Sequence, residues 1–245
     1  MKNIVKQFLK KIRYCEHCEK IVNRQLNHEK LLNEILMTQI FHDTIIDIPW
    51  LRYKNFSARG AAANYSFLYI LTRILNAFRP TTILELGIGQ STKLTTQYVI
   101  HEENYANLFL AEHDSVWMSF FENNTKRNPR IHILNLEIET IDFKKNRVCT
   151  YKNLIKHIKD QKFDLLIIDG PHGSDRYSRI GSFDIVKQNL NSRFVILIDD
   201  FDRLGEQELA DEIKKELTVL SIPYYCNIFN GIKSQLLISS YELFF

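Results

Sequence analysis

From Thr81 onward, short apolar runs alternate with stretches of helical periodicity. The runs predict strands at Thr82–Leu86, Asn107–Glu112, Ile131–Leu134, Phe163–Asp169, Phe194–Asp199, Tyr224–Phe229 and Gln235–Ser239. Helices are predicted between them, at about Ser91–His101, Ser115–Lys126, Tyr151–Lys159, Ser178–Asn189 and Gln207–Leu217. The runs ending at Asp169 and Asp199 show no polar alternation, the pattern of strands covered on both faces. Such strands belong to a mostly parallel sheet with helices on each side. The last two follow each other with no helix between, so an antiparallel hairpin is expected to close a seven-stranded sheet.

Upstream, residues 1–60 have almost no strand character. Ile21, Val22, Leu26, Leu31, Leu32, Ile35, Leu36 and Ile40 recur at helical spacing up to Asp47-Ile-Pro49-Trp50, where proline ends the pattern. A second helix is predicted from Ala61 to Ala77, with Tyr65, Leu68, Tyr69, Leu71, Thr72 and Leu75 in its apolar stripe, and Arg79-Pro80 stops it. The expected organisation is a helical N-terminal extension over 1–60 followed by an α/β domain over 61–245.

Composition narrows the class. A chain of 245 residues, 45% hydrophobic and 25% charged, can fill a large core and is neither disordered nor collagen-like. The longest apolar runs fall far short of the ~20 residues of a membrane span. Met1–Tyr14 interleaves Lys and Arg with its apolar residues and shows no signal-peptide core, so a cytoplasmic setting is expected. A net charge of +3 gives no reason to expect nucleic acid. The basic excess is local. Lys2, Lys6, Lys10, Lys11, Arg13, Lys20 and Arg24 face only Glu16 and Glu19 within residues 1–24, a basic amphipathic helix that could meet an anionic membrane surface or a partner. A solvated helix with one face on the protein body is the simpler expectation, and the pattern leaves the oligomeric state open. Cys15 and Cys18 form C-E-H-C, but the second ligand pair of a zinc site is missing, and two small apolar residues on one helix face are expected instead.

Candidate chemistry collects at the strand ends, where open α/β sheets bind ligands. Four of the eight glycines, Gly87, Gly89, Gly170 and Gly173, lie just after two strand ends. Glu85-Leu-Gly87-Ile-Gly89-Gln-Ser91-Thr92 has the close-approach glycines of a nucleotide loop, yet Thr92 stands where a dinucleotide fingerprint has its last glycine. Glu85 would repel a pyrophosphate and suits a ligand carrying positive charge, such as the sulfonium and ammonium of S-adenosylmethionine. Glu112, at the end of the next strand, can accept from both hydroxyls of a ribose, with His113 beside it. The fourth and fifth strands end in Asp169-Gly-Pro-His172-Gly and in Asp199-Asp200. Three convergent carboxylates are oxygen ligands suited to Mg²⁺. Taken singly, Asp199 or Asp200 could cap the next helix, Asp169 could hold a turn, and His172 could be a surface histidine.

Glu85-Leu-Gly87-Ile-Gly89 followed by Glu112 resembles the first two motifs of class I S-adenosylmethionine-dependent methyltransferases, over roughly residues 62–245. D-G-P-H before D-D is similar to a branch of O-methyltransferases that act on sugars and natural products. The resemblance implies a Rossmann-like fold, with the donor held by Glu85, Gly87, Gly89, Ser91, Glu112, His113 and Asp169. It also implies a Mg²⁺ site at Asp169, Asp199 and Asp200, with Asp169 or His172 as the base. Tyr65, Arg176 and Arg179 are candidate acceptor residues, and arginines there suit an anionic small molecule or glycan precursor. The Arg176–Arg179 stretch departs from the branch pattern, and an arginine among the carboxylates would replace the metal. The competing expectations are a nucleotide-dependent oxidoreductase or epimerase and a non-catalytic Rossmann-like binding module.

Overall fold

The computed structural model describes residues 2–57, 62–101, 105–125 and 127–243, with the backbone alone for 2–17. Its strands are β1 (Thr82–Leu86), β2 (Asn107–Glu112), β3 (Ile131–Asn135), β4 (Ile138–Phe143), β5 (Asn146–Tyr151), β6 (Phe163–Ile168), β7 (Leu190–Ile198), β8 (Tyr225–Asn230) and β9 (Ser234–Ser239). Seven of them form one sheet in the order β3-β2-β1-β6-β7-β9-β8. β1, β2, β3, β6 and β7 run parallel, and β9 pairs antiparallel with both β7 and β8. This is the expected Rossmann-like sheet, closing hairpin included.

The unbroken apolar strands have the two-sided burial that their pattern requires. Side chains alternate between the faces of a strand. Ile83, Leu165, Ile167, Val195 and Leu197 enter a core on one face, and Leu84, Leu86, Leu166, Ile168, Ile196 and Ile198 enter a second core on the other. The helices supply the covers: α1 (Lys2–Thr44), α2 (Tyr65–Arg73), α3 (Thr92–Ile100), α4 (Ser115–Asn124), α5 (Leu154–Ile158), α6 (Phe183–Gln188) and α7 (Leu204–Val219). Asp114 caps α4 by accepting from the Val116 and Trp117 N–H groups.

Two features depart from the expected elements. β4 and β5 form a separate antiparallel hairpin between β3 and α5. Its turn residues Lys144 and Lys145 both have positive φ, 47° and 68°, where Asn-Gly would have announced the turn. The N-terminal helical patterns fuse into one helix of 43 residues. Its C-terminal end is not peripheral. Phe41, Ile45, Ile48, Trp50 and Leu51 pack into the same core as α2 and the sheet, so the hydrophobic core crosses residue 60. From Glu19 to Glu29 every side chain of α1 is exposed. The side chains of Cys15, His17 and the basic residues before them lie outside the described residues, and Cys18 is partly buried with a free thiol. Among the described residues no helix is long and apolar enough to cross a membrane.

Phe41 is 0% exposed and meets Phe56 edge-on with ring centroids 5.4 Å apart. Phe41→Ala is expected to lower the unfolding free energy by about 3–5 kcal/mol. Tyr53→Ala, at a side chain 78% exposed, should change it by less than about 0.5 kcal/mol. Denaturant titration of both variants checks the pair, and equal losses would place residues 41–56 outside the cooperative core.

Candidate functional site

Strand order reverses at β1. The chain runs outward to β3 and returns on the other side at β6, so the ends of β1 and β6 border the crevice where such sheets bind ligands. Gly87 leaves β1 at φ 98°, and a Cβ there would stand 3.2 Å from both the Asp169 carbonyl carbon and the Gly170 nitrogen. On Gly170 a Cβ would lie 2.6 Å from Tyr151 Oη and 2.9 Å from Gly87 Cα. The two loops therefore meet backbone to backbone, which only glycine permits. Gly89, by contrast, has nothing within 4 Å of an added Cβ and faces open space.

Glu85 is 0% exposed and turned under the start of α3. It accepts from Ser91 Oγ at 2.6 Å, Thr95 Oγ1 at 2.6 Å and Thr92 Oγ1 at 3.0 Å. Thr92 Oγ1 in turn accepts from the Gly89 N–H at 2.9 Å. Glu85 thus anchors the glycine loop from beneath, and its carboxylate is not presented to the crevice. Burial raises its pKa to about 7, against the lowering effect of the three hydroxyls.

Glu112 is 4% exposed and held by backbone alone. Oε2 accepts from the Ile88 N–H at 2.8 Å, and Oε1 accepts from the His113 and Asp114 N–H groups at 2.7 and 2.9 Å. The end of β2 is thereby fastened to the loop after β1. His113 Nδ1 lies 3.0 Å from Glu112 Oε1 but outside hydrogen-bond geometry, and it has no hydrogen-bond partner. Tyr151 Oη is likewise buried without one, and burial followed by the Glu112 charge raises the pKa of its phenol. The rings of His113 and His172 meet edge-on at 5.0 Å, and those of His113 and Tyr151 lie 6.1 Å apart. Glu112, His113, His172 and Tyr151 thus share one corner of the crevice, with two buried polar atoms unmatched by protein groups.

The carboxylates of Asp169, Asp199 and Asp200 converge, each offering an oxygen within 4.8 Å of the others. Two cations already occupy the space among them. Arg179 is 4% exposed, with Nη2 at 2.9 Å from Asp200 Oδ2 and 3.5 Å from Asp169 Oδ1. It also donates to the carbonyls of Pro171, Ile168 and Asp199. Lys233 Nζ lies 3.2 Å from Asp199 Oδ2 and 3.3 Å from Asp200 Oδ1, and Arg203 Nη1 lies 2.9 Å from Asp200 Oδ2. Three positive groups face three carboxylates. A divalent cation does not fit these side chains as they stand: it would have to displace Lys233 and to sit beside a guanidinium held by three carbonyls. Arg179 itself is turned inward on this cluster and presents no guanidinium to an acceptor. Asp169 is the most open of the three carboxylates, its side chain 18% exposed against 0% and 5% for Asp199 and Asp200. Burial, reinforced by Asp199, pushes its pKa well above the ordinary aspartate range, while Arg179 and Lys233 pull it back.

The same cluster reaches α1. Asp199 Oδ1 accepts from Gln235 Nε2 at 2.9 Å, and that amide also donates to Asn64 Oδ1 at 2.9 Å. Asn64 Nδ2 donates to Glu34 Oε2 at 2.8 Å, while Glu34 also accepts from the backbone N–H groups of Tyr65 and Ile232. Tyr65 rests against Phe41 and His42 of α1. Arg176 is bound to Glu208 of α7 through Nε at 2.7 Å, with its side chain 47% exposed.

Sequence reasoning brought Gly87, Glu112, His113, His172 and the three aspartates to one edge of the sheet. It did not find Tyr151, because the hairpin that carries it was not predicted. Lys233, Gln235, Asn64 and Glu34 went unnoticed as well. Their only signal is polarity at positions flanking apolar elements, which does not distinguish them from surface residues.

No model of a known protein family matches the chain, and no curated protein does. Solved structures share its fold. A precorrin-6y C5,15-methyltransferase from Geobacter metallireducens aligns with a TM-score of 0.51 at 13% identity, covering 76% of this chain and 93% of that one. An SAH-bound methyltransferase from Podospora anserina aligns at 0.48 with 11% identity, covering 91% and 94%. An O-methyltransferase from Bacillus cereus in complex with SAH aligns at 0.46 with 16% identity, covering 86% and 91%. At such identities the likeness is one of fold alone, a Rossmann-like α/β sheet.

Glu85 binds its proton more tightly in the folded chain, at about 7, than at its ordinary value of 4.5. Between those values the native state holds a proton that the unfolded state has released. Stability therefore falls as pH rises through this window and levels off above it. Glu85→Gln should abolish that slope and, near pH 8, raise the unfolding free energy by up to about 3 kcal/mol. Urea titrations from about pH 5 to 8 check this, and an unchanged slope would mean that another group controls it.

Proposed function

We propose that the protein is an S-adenosylmethionine-dependent O-methyltransferase acting on the hydroxyl of an anionic small molecule, a sugar or glycan precursor. The observation that carries the reading is Glu112, a carboxylate fixed by three backbone N–H groups at the end of β2, beside the glycine loop and the switch point. A carboxylate so held suits vicinal ribose hydroxyls and is ill suited to a phosphate. The unmatched His113 Nδ1 and Tyr151 Oη fit a ligand that brings its own polar groups into this corner. The donor, when bound, supplies an activated methyl group.

The chain's own residues then have two tasks, orientation and proton removal. Gly87 and Gly170 let the loops close on the donor without side chains in the way. Asp169, the open member of the acidic cluster, takes the proton of the acceptor hydroxyl. Its raised pKa brings its basicity closer to that required, and Arg179 and Lys233 keep the ionised form from being prohibitive. His172 stands on the same loop as a second candidate base. An anionic acceptor is favoured by Arg147, which lines a cleft with Gly173, Ser174, Asp175 and Arg176, although Arg176 is already paired with Glu208. In this reading the Mg²⁺ that the acidic motif suggests is replaced by Arg179 and Lys233.

Isothermal titration with S-adenosylmethionine and, separately, NAD tests the reading; binding of NAD alone would point to an oxidoreductase. Glu112→Ala should weaken donor binding by about 2–3 kcal/mol while the circular dichroism spectrum stays that of the parent. Unchanged affinity would remove Glu112 from the ribose site.

Asp169→Asn should lower kcat by roughly 10²–10⁴-fold while donor affinity is kept. In the parent, activity should rise with pH on a limb above the ordinary aspartate range, because the base form appears only as Asp169 loses its proton. Activity should survive EDTA. Loss in EDTA with recovery on adding Mg²⁺ would restore the metal and displace Lys233 from its assigned place.

A further inference from the structure

α1 has two apolar faces, and the fold uses one. Glu34 and Phe41 turn inward to the body, followed just beyond the helix end by Ile45. On the outer side Ile21, Val22, Leu26, Leu31, Leu32, Ile35 and Leu36 are each between 43% and 66% exposed. An α-helix turns 100° per residue, which gathers Ile21, Val22, Leu32, Ile35 and Leu36 on one side, with Leu26 and Leu31 at its two borders.

The stripe is symmetric under reversal of chain direction at all but one of its apolar positions, the exception being Leu32, whose mirror position is Gln25. Reflection about the midpoint of residues 28 and 29 exchanges Ile21 with Leu36, Val22 with Ile35, and Leu26 with Leu31. A surface that matches itself when reversed is what a two-fold interface between identical chains requires. The geometry points to a homodimer in which the outer faces of two α1 helices pack antiparallel, with the dyad between His28 and Glu29. The same reversal sets His28 of one copy level with Glu29 of the other, twice about the dyad, so the polar break in the stripe is also complementary. Each body lies on the inner side of its own helix, away from the proposed seam.

Size sets the expected strength. Residues 18–40 extend ~34 Å and a helix is ~10–12 Å across. The helices alone therefore cover roughly 800 Å² for the pair, below the ~1,000 Å² of a stable specific interface and in the range of weak, transient ones. A concentration-dependent dimer is expected.

Sedimentation velocity on the full chain across roughly 1–100 μM should show monomer giving way to dimer. The Leu32→Glu, Ile35→Glu double variant should remain monomeric, with the circular dichroism spectrum and thermal midpoint of the diluted parent. In a background with Cys15, Cys18 and Cys226 replaced by serine, Glu29→Cys should form an intermolecular disulfide. Val22→Cys should not, because antiparallel pairing separates its two copies by ~20 Å along the axis. A parent that stays monomeric, a dimer indifferent to the double variant, or equal cross-linking at both positions would each overturn the proposal. A monomeric parent that floats with anionic vesicles and loses that binding in the double variant would assign the stripe to a lipid surface instead.

Discussion

Three carboxylates cannot share the edge of a sheet in a largely water-free interior unless positive charge is brought among them. Asp169, Asp199 and Asp200 sit at the ends of neighbouring strands, so the β6–β7 pairing forces them together whatever else the chain does. Much of the surrounding structure answers that constraint. Arg179 is carried back into the cluster by the segment before α6, and Lys233 enters from the β8–β9 turn. Both Arg179 and Asp200 occupy the left-handed region, at φ 59° and 56°, a conformation that costs non-glycine residues on the order of 1–2 kcal/mol. Their ion pair at 2.9 Å is what holds two such residues in place. Neutralised in this way, the edge leaves one carboxylate, Asp169, partly open and shifted toward higher pKa, the property a base for a hydroxyl needs.

How much of this was legible in the sequence depends on whether a residue's task is local. β1, β2, β6 and β9 could be placed because unbroken apolar runs have one common explanation in a two-sided sheet. Gly87 could be singled out because a strand followed by glycine announces a turn. The β4–β5 hairpin was hidden because its turn uses Lys144 and Lys145, whose positive φ no sequence rule anticipates. Glu85 was legible as a strand-end carboxylate, and the sequence pointed it at a cationic ligand. Whether it faces ligand or helix is decided by Ser91, Thr92 and Thr95, three hydroxyls that the next helix happens to present. Arg179 was legible in two roles, an acceptor contact and a replacement for the metal among the carboxylates, and only the fold, by placing it between Asp169 and Asp200, decides for the second.

The N-terminal helix links the two levels of organisation. Its inner face contributes Phe41 to the core and Glu34 to the polar chain that ends on Asp199. Its outer face carries the self-complementary stripe. A shift of α1 along its axis would therefore be felt at the start of α2 and at Gln235 together.

The hydrogen-bond chain from Glu34 to Asp199 also has a consequence for synthesis. Its members are supplied by the first helix, the approach to the second, the end of β7 and the closing hairpin. A nascent chain that has emerged as far as Asp200 holds all three carboxylates but neither Lys233 nor Gln235. The sheet edge stays electrostatically unfinished until α7 and β8 have followed, because contacts this distant in sequence form only after the intervening loop is closed. A ribosome that stalls within α7 thus leaves a chain in which Arg179 and Arg203 can already face Asp169 and Asp200 but Asp199 still lacks Lys233 and Gln235.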